Sequence, residues 1–199
     1  MNKIIFSLLL LVSSNTFSQG YYHGAGFNVS LNNYRFIYDD PVLGRFDNSR
    51  LNFLPSLVYK ASYGIILKSD FYFAASAYPA IGAMYSSNSN SQSGQTTSSY
   101  FGYDLPLLGE FYFGSLDDNA FHFGVGYDIS SFRQNGVGRT THGPQLSFGG
   151  QLFVRDQLYH IRFFYTKGLN KTKDIPSGVD VITDQRNYFG GSLIYMFGM

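Results

Sequence analysis

Phe121-His122-Phe123-Gly124-Val125-Gly126-Tyr127-Asp128-Ile129-Ser130 alternates without a break. Each odd position is aromatic or β-branched, and each even position is small, polar or charged. Such alternation predicts an extended strand with one apolar and one polar face. Seven further stretches repeat the pattern. They are about Tyr22–Asn32, Arg50–Ala61, Phe71–Tyr85, Tyr100–Phe113, Pro144–Val154, Tyr159–Tyr165 and Tyr188–Phe197. Phe27, Val29 and Leu31 oppose Asn28, Ser30 and Asn32; Phe53, Leu57 and Tyr59 oppose Asn52, Ser56 and Lys60. The abundance of Tyr, Phe and Gly agrees with an all-β chain.

The segments between strands differ in length. Tyr34–Ser49, Ser86–Ser99, Arg133–Thr141 and Asn170–Gln185 are long and polar, and Ser86–Ser99 is low-complexity sequence that predicts a mobile loop. The links at Gly64, at Ser115-Leu116-Asp117-Asp118-Asn119 and at Arg155-Asp156-Gln157 are short. Even strand number, short turns at one end and long loops at the other mark barrels of the outer membrane. The expected fold is therefore an eight-stranded antiparallel up-and-down transmembrane β-barrel.

The chain has 199 residues and no cysteine, so disulfides and thiolate metal sites are ruled out. Lys3, the apolar run Ile4–Val12 and the small polar residues Ser13–Ser18 predict a signal peptide over residues 1–18, cleaved before Gln19. The barrel domain is then 19–199. Without Lys3 the basic and acidic residues balance at 13 each, which argues against nucleic acid as a partner.

Charge placement decides which face meets lipid. Lys60, Asp104, Glu110, Asp128 and Arg162, the ionised residues well inside strands, all lie opposite their strand's apolar row. A basic side chain in the lipid midplane costs about 2–4 kcal/mol, so the charges belong inside. Lys167 shares the apolar parity but sits at a strand end, where its stem reaches the interface. Eight strands leave a lumen only wide enough for side chains, which Gly24, Gly26, Gly124 and Gly126 would suit. Pro55, Pro79 and Pro106 lie within strands and predict bulges, with a change of face beyond each.

Leu105-Pro106-Leu107-Leu108-Gly109-Glu110-Phe111-Tyr112-Phe113-Gly114, Phe123-Gly124-Val125-Gly126-Tyr127 and the terminal strand resemble small Gram-negative outer-membrane barrels of the porin-like and OmpA/OmpX-like kind. The resemblance implies a place in the outer membrane, contact with its lipid and lipopolysaccharide, and insertion by the outer-membrane assembly machinery. Such barrels usually end in an aromatic residue, whereas this chain ends Phe197-Gly198-Met199. It also lacks tryptophan, so aromatic girdles must be Tyr and Phe.

The candidate site is a lumen cluster of Lys60, Asp104, Glu110, His122, Asp128, His160 and Arg162, paired for burial. Lys60, Glu110, His122, His160 and Arg162 fall in the periplasmic half. His23, His122, His142 and His160 show no metal-ligand spacing, and Asp39, Asp40 and Asp47 read as solvated loop acids; neither a metal nor a cofactor is expected. No serine stands in a recognisable frame with a histidine, and Gly124-Val125-Gly126 lacks the rest of a phosphate loop, so no catalytic residue is assigned. The expected function is a structural or interaction component of the envelope, working through its outer loops with a possible envelope protein partner. A narrow porin-like channel is the alternative, and a lipid A-modifying enzyme stands behind both.

Overall fold

The computed structural model describes residues 19–40, 44–68, 70–90, 94–114, 119–134, 137–169, 172–174 and 180–198. The expected signal peptide, the Ser115–Asp118 link and the Pro176-Ser177-Gly178 segment lie outside them. The strands are β1 (Gln19–Asp40), β2 (Gly44–Lys68), β3 (Phe71–Ala77), β4 (Ala80–Asn90), β5 (Gly94–Gly114), β6 (Ala120–Gln134), β7 (Val137–Val154), β8 (Gln157–Lys167), the short β9 (Thr172–Asp174) and β10 (Asp180–Gly198). β3 and β4 form one interrupted stave, and β9 pairs only with β10. Each stave pairs antiparallel with its sequence neighbour, and β1 pairs with both β2 and β10, which closes an eight-stranded barrel.

Gln19 and Gly198, the first and last described residues, share one end of the barrel with the β7–β8 turn. The β7–β8 connection is a two-residue turn in which Arg155 and Asp156 have φ of 52° and 62°, the left-handed pair that matches strand twist. At the other end the strands outrun the membrane. A barrel strand needs about 9–11 residues to cross a bilayer, whereas β1 has 22 residues and β2 has 25. Three regions expected as loops are therefore largely paired strand: pairing continues to Asp40↔Gly44, to Asn90↔Gly94 through the low-complexity segment, and to Gln134↔Val137. The fourth carries β9 and the start of β10. Backbone hydrogen bonds propagate outward once the wall sets the register, and they require no apolar face.

The prolines correct a second expectation. No register shift occurs at Pro55, Pro79 or Pro106, and the inside–outside alternation runs through all three. The shifts fall instead at His23/Gly24, Tyr34/Arg35 and Ile66/Lys68. Each proline costs a ladder bond rather than adding a residue. Tyr59 N–H donates to the Pro79 carbonyl (2.9 Å) and Tyr78 N–H to the Pro106 carbonyl (3.0 Å), but neither proline returns a donor. Both losses meet at Tyr78-Pro79, where the stave breaks into β3 and β4. The β2–β4 ladder likewise skips Leu54 and Pro55 and resumes in the same register. Beside that gap lies a shallow apolar groove of about 390 Å³ on the outer wall, bordered by Phe27, Leu57, Ile81 and Phe101. Asn28 donates to Ser56 Oγ (3.1 Å) at its floor.

The glycines answer to the backbone more than to the lumen. A Cβ on Gly26 would lie 1.9 Å from the Leu193 carbonyl oxygen, and one on Gly126 1.9 Å from that of Leu107. On Gly24 it would meet the Tyr195 carbonyl at 2.4 Å. Of the four, Gly124 is the one crowded chiefly by lumen side chains, with Ser147 Oγ at 2.5 Å and Glu110 Cγ at 3.1 Å.

Candidate functional site: a cross-linked lumen

The alternation set by the strands sorts side chains to two surfaces. Phe27 (71% exposed), Phe121 (78%) and Phe148 (61%) point outward, as do Leu57, Val125, Phe163, Leu193 and Phe197. Apolar exposure on every stave far exceeds the patches tolerated by a soluble monomer. Toward the turn end, His23 packs edge-on against Phe197 (4.7 Å) and lies 3.1 Å from the Tyr59 hydroxyl. Toward the hairpin end, the Tyr127 hydroxyl meets His142 Nδ1. Both interfaces therefore carry histidine beside the expected Tyr and Phe. Lys167 is exposed at the end of β8.

All seven predicted lumen residues, Lys60, Asp104, Glu110, His122, Asp128, His160 and Arg162, are buried, and five of them meet in the half nearer the termini. Glu110 (β5) is their centre. Its Oε2 accepts from Ser76 Oγ (2.5 Å) and the Tyr112 hydroxyl (2.9 Å) and lies 3.5 Å from Lys60 Nζ of β2. Its Oε1 accepts from the Tyr78 hydroxyl (2.6 Å) and faces His122 Nε2 of β6 at 3.8 Å. Lys60 Nζ donates to the Tyr112 hydroxyl (2.6 Å), which is 3.2 Å from His160 Nε2 of β8. A carboxylate and an ammonium at 0–1% exposure would be ruinous alone; ringed by these donors and acceptors, they are held.

Arg162 joins by stacking. Its guanidinium carbon is 3.8 Å from the Tyr78 ring centroid and 4.6 Å from that of Phe164, and it also interacts electrostatically with Glu110 and Asp128. An aromatic column runs across the strands: Tyr72 stacks on Tyr112 (4.4 Å), Tyr112 tilts against His122 (5.3 Å), and His122 stacks on His160 (4.5 Å). Tyr72 donates to Gln151 Oε1 (2.7 Å). Leu158, Ile194 and Met196 are buried together beside Tyr22. Asp104 and Asp128 stand nearer the hairpin end, where Asp104 pairs across with Ser130 and Asp128 with Gly143.

A closed barrel with an apolar outer wall and ionised groups on its axis has one suitable solvent. The chain is an outer-membrane β-barrel. The polar axis is filled rather than open, as its buried ion pair shows. Sequence reading missed Tyr78 and Tyr112, which bond or stack with Lys60, Glu110, His122, His160 and Arg162, and Tyr72, which stacks on Tyr112.

Among solved structures, the barrel is similar to the outer membrane protein OprG from Pseudomonas aeruginosa, at 13% identity and a TM-score of 0.48 over 89% of this chain and 98% of that one. It is also similar to Neisserial surface protein A, at 14% identity and a TM-score of 0.42 over 86% and 97%. The attachment invasion locus protein of Yersinia pestis matches at 11% identity and a TM-score of 0.32 over 90% and 100%. No protein-family model and no curated protein matches the chain. At these distances the likeness carries no residue roles, and the bilayer location follows from this chain's own outer wall.

Proposed function

We propose that the protein is a plugged outer-membrane barrel whose contacts are made at its hairpin end, as a structural or interaction component of the cell envelope. The observation that carries this reading is the Lys60–Glu110 pair, 3.5 Å apart and buried across the axis with Tyr78 and Tyr112 closed around it. A solute path would have to break it. The strands meanwhile extend past the membrane as paired hairpins, which form a supported platform rather than slack loops.

Residues 1–18 would direct export and be removed, leaving 19–199 as the mature barrel. The outer wall meets outer-membrane lipid and lipopolysaccharide. The terminal strand β10, with Phe197 outward, is the segment the assembly machinery would read, and an envelope protein would dock on the hairpins. The balanced charge leaves nucleic acid without an electrostatic attraction. Purified protein in planar bilayers is expected to show no reproducible single-channel openings; steady openings would replace this reading with a conducting pore.

A further inference from the structure

Glu110, His122 and His160 are separated along the chain, yet closure of the barrel brings one donor atom from each within 4.8 Å of the others. All three are buried. Neither ring nitrogen of His122 has a hydrogen-bond partner, nor has Nδ1 of His160. Buried imidazoles of a structural core are ordinarily anchored through a ring nitrogen. Here both nitrogens of His122 and one of His160 are left over, and His122 Nε2 lies 3.8 Å from a carboxylate oxygen. Two imidazoles with a carboxylate are the donor set that borderline transition ions favour over calcium or magnesium.

We propose that Glu110, His122 and His160 form a lumen site for a divalent transition ion of the Zn2+ class, stapling β5, β6 and β8 from within. Zinc–ligand bonds are about 2.0–2.2 Å, so the three side chains close by small rotations about one point. The two carboxylate oxygens divide the work. Oε1, which accepts from Tyr78 and faces His122, offers its second lone pair to the ion, while Oε2 stays with Ser76, Tyr112 and Lys60. Lys60 and Arg162 oppose the added charge, so the ion needs the full carboxylate of Glu110 and leaves the ammonium on the far oxygen. The site stands whether or not the hairpins bind a partner.

The test is made on the full mature barrel, refolded into detergent micelles with ZnCl2 and desalted, with folding followed by its mobility on unheated gels. About one Zn2+ per folded chain is expected to remain. The same is expected of His23→Ala/His142→Ala, which removes the outward histidines. His122→Ala/His160→Ala is expected to retain at least tenfold less. No retained zinc in the folded wild type, or equal retention by both double variants, overturns the proposal. Should the lumen variant not fold, Co2+ on the wild type decides. Ligand-field absorption of low-coordinate Co2+ that zinc abolishes supports the site, and its absence refutes it.

Discussion

In the half of the lumen near the termini, Glu110 accepts three hydroxyl hydrogen bonds, Lys60 caps it, and Tyr78 is shared between the carboxylate and Arg162. In the half toward the hairpins, Gln145 Nε2 donates to Thr166 Oγ1 (2.7 Å), but the hydroxyl of Ser30 and Oε1 of Gln145 reach no protein acceptor or donor. Both halves are lined by inward residues of the same eight staves. One is a knot of charge and aromatic rings; the other sets Asp104 and Asp128 among small polar side chains, the kind of surface that water serves. The difference teaches that a barrel of this size separates two tasks along its axis. The half near the termini locks the staves and stops the bore, and the half above it holds the base of the projecting hairpins.

The comparison breaks first at Glu110. Glu110→Ala strands Lys60 without its counter-ion, and a loss of about 3–5 kcal/mol is expected in urea unfolding followed in micelles. Tyr78→Phe comes next. It deletes the 2.6 Å hydrogen bond to the carboxylate while leaving the ring under Arg162, and about 1.5–3 kcal/mol should go. Ser30→Ala, in the other half, should stay within about 0.5 kcal/mol of wild type because no protein hydrogen bond is lost. Equal costs at Glu110 and Ser30 in that series would erase the division of labour.

The faces of the barrel were legible in the sequence because the side-chain period of a strand is two, and one slip would have sent every charge into lipid. The partners across the lumen were not legible. Which residue faces Glu110 depends on how eight staves close, and no local pattern states that register. Tyr112 carried a usable signal, since it shares parity with Glu110 and Asp104 and so had to point inward. Tyr72 and Tyr78 share parity with Ser76 in the same way. Their aromatic character disguised them as wall residues. The prolines misled for a related reason: a missing N–H was expected to force an extra residue, whereas two of them faced the same gap and opened it. The hairpins were underestimated because polar composition says nothing about backbone pairing that the wall has already started.

The orientation of the two surfaces is open to direct measurement, helped by a chain that contains no cysteine. Single cysteines at Phe123, Val125, Phe163 and Leu193 would carry nitroxide labels in barrels reconstituted into phospholipid bilayers, with collisions by oxygen and by a water-soluble nickel chelate compared. High oxygen and low nickel accessibility at all four positions is expected. Nickel accessibility at these sites equal to that of a label on an aqueous turn such as Asp156 would contradict the account.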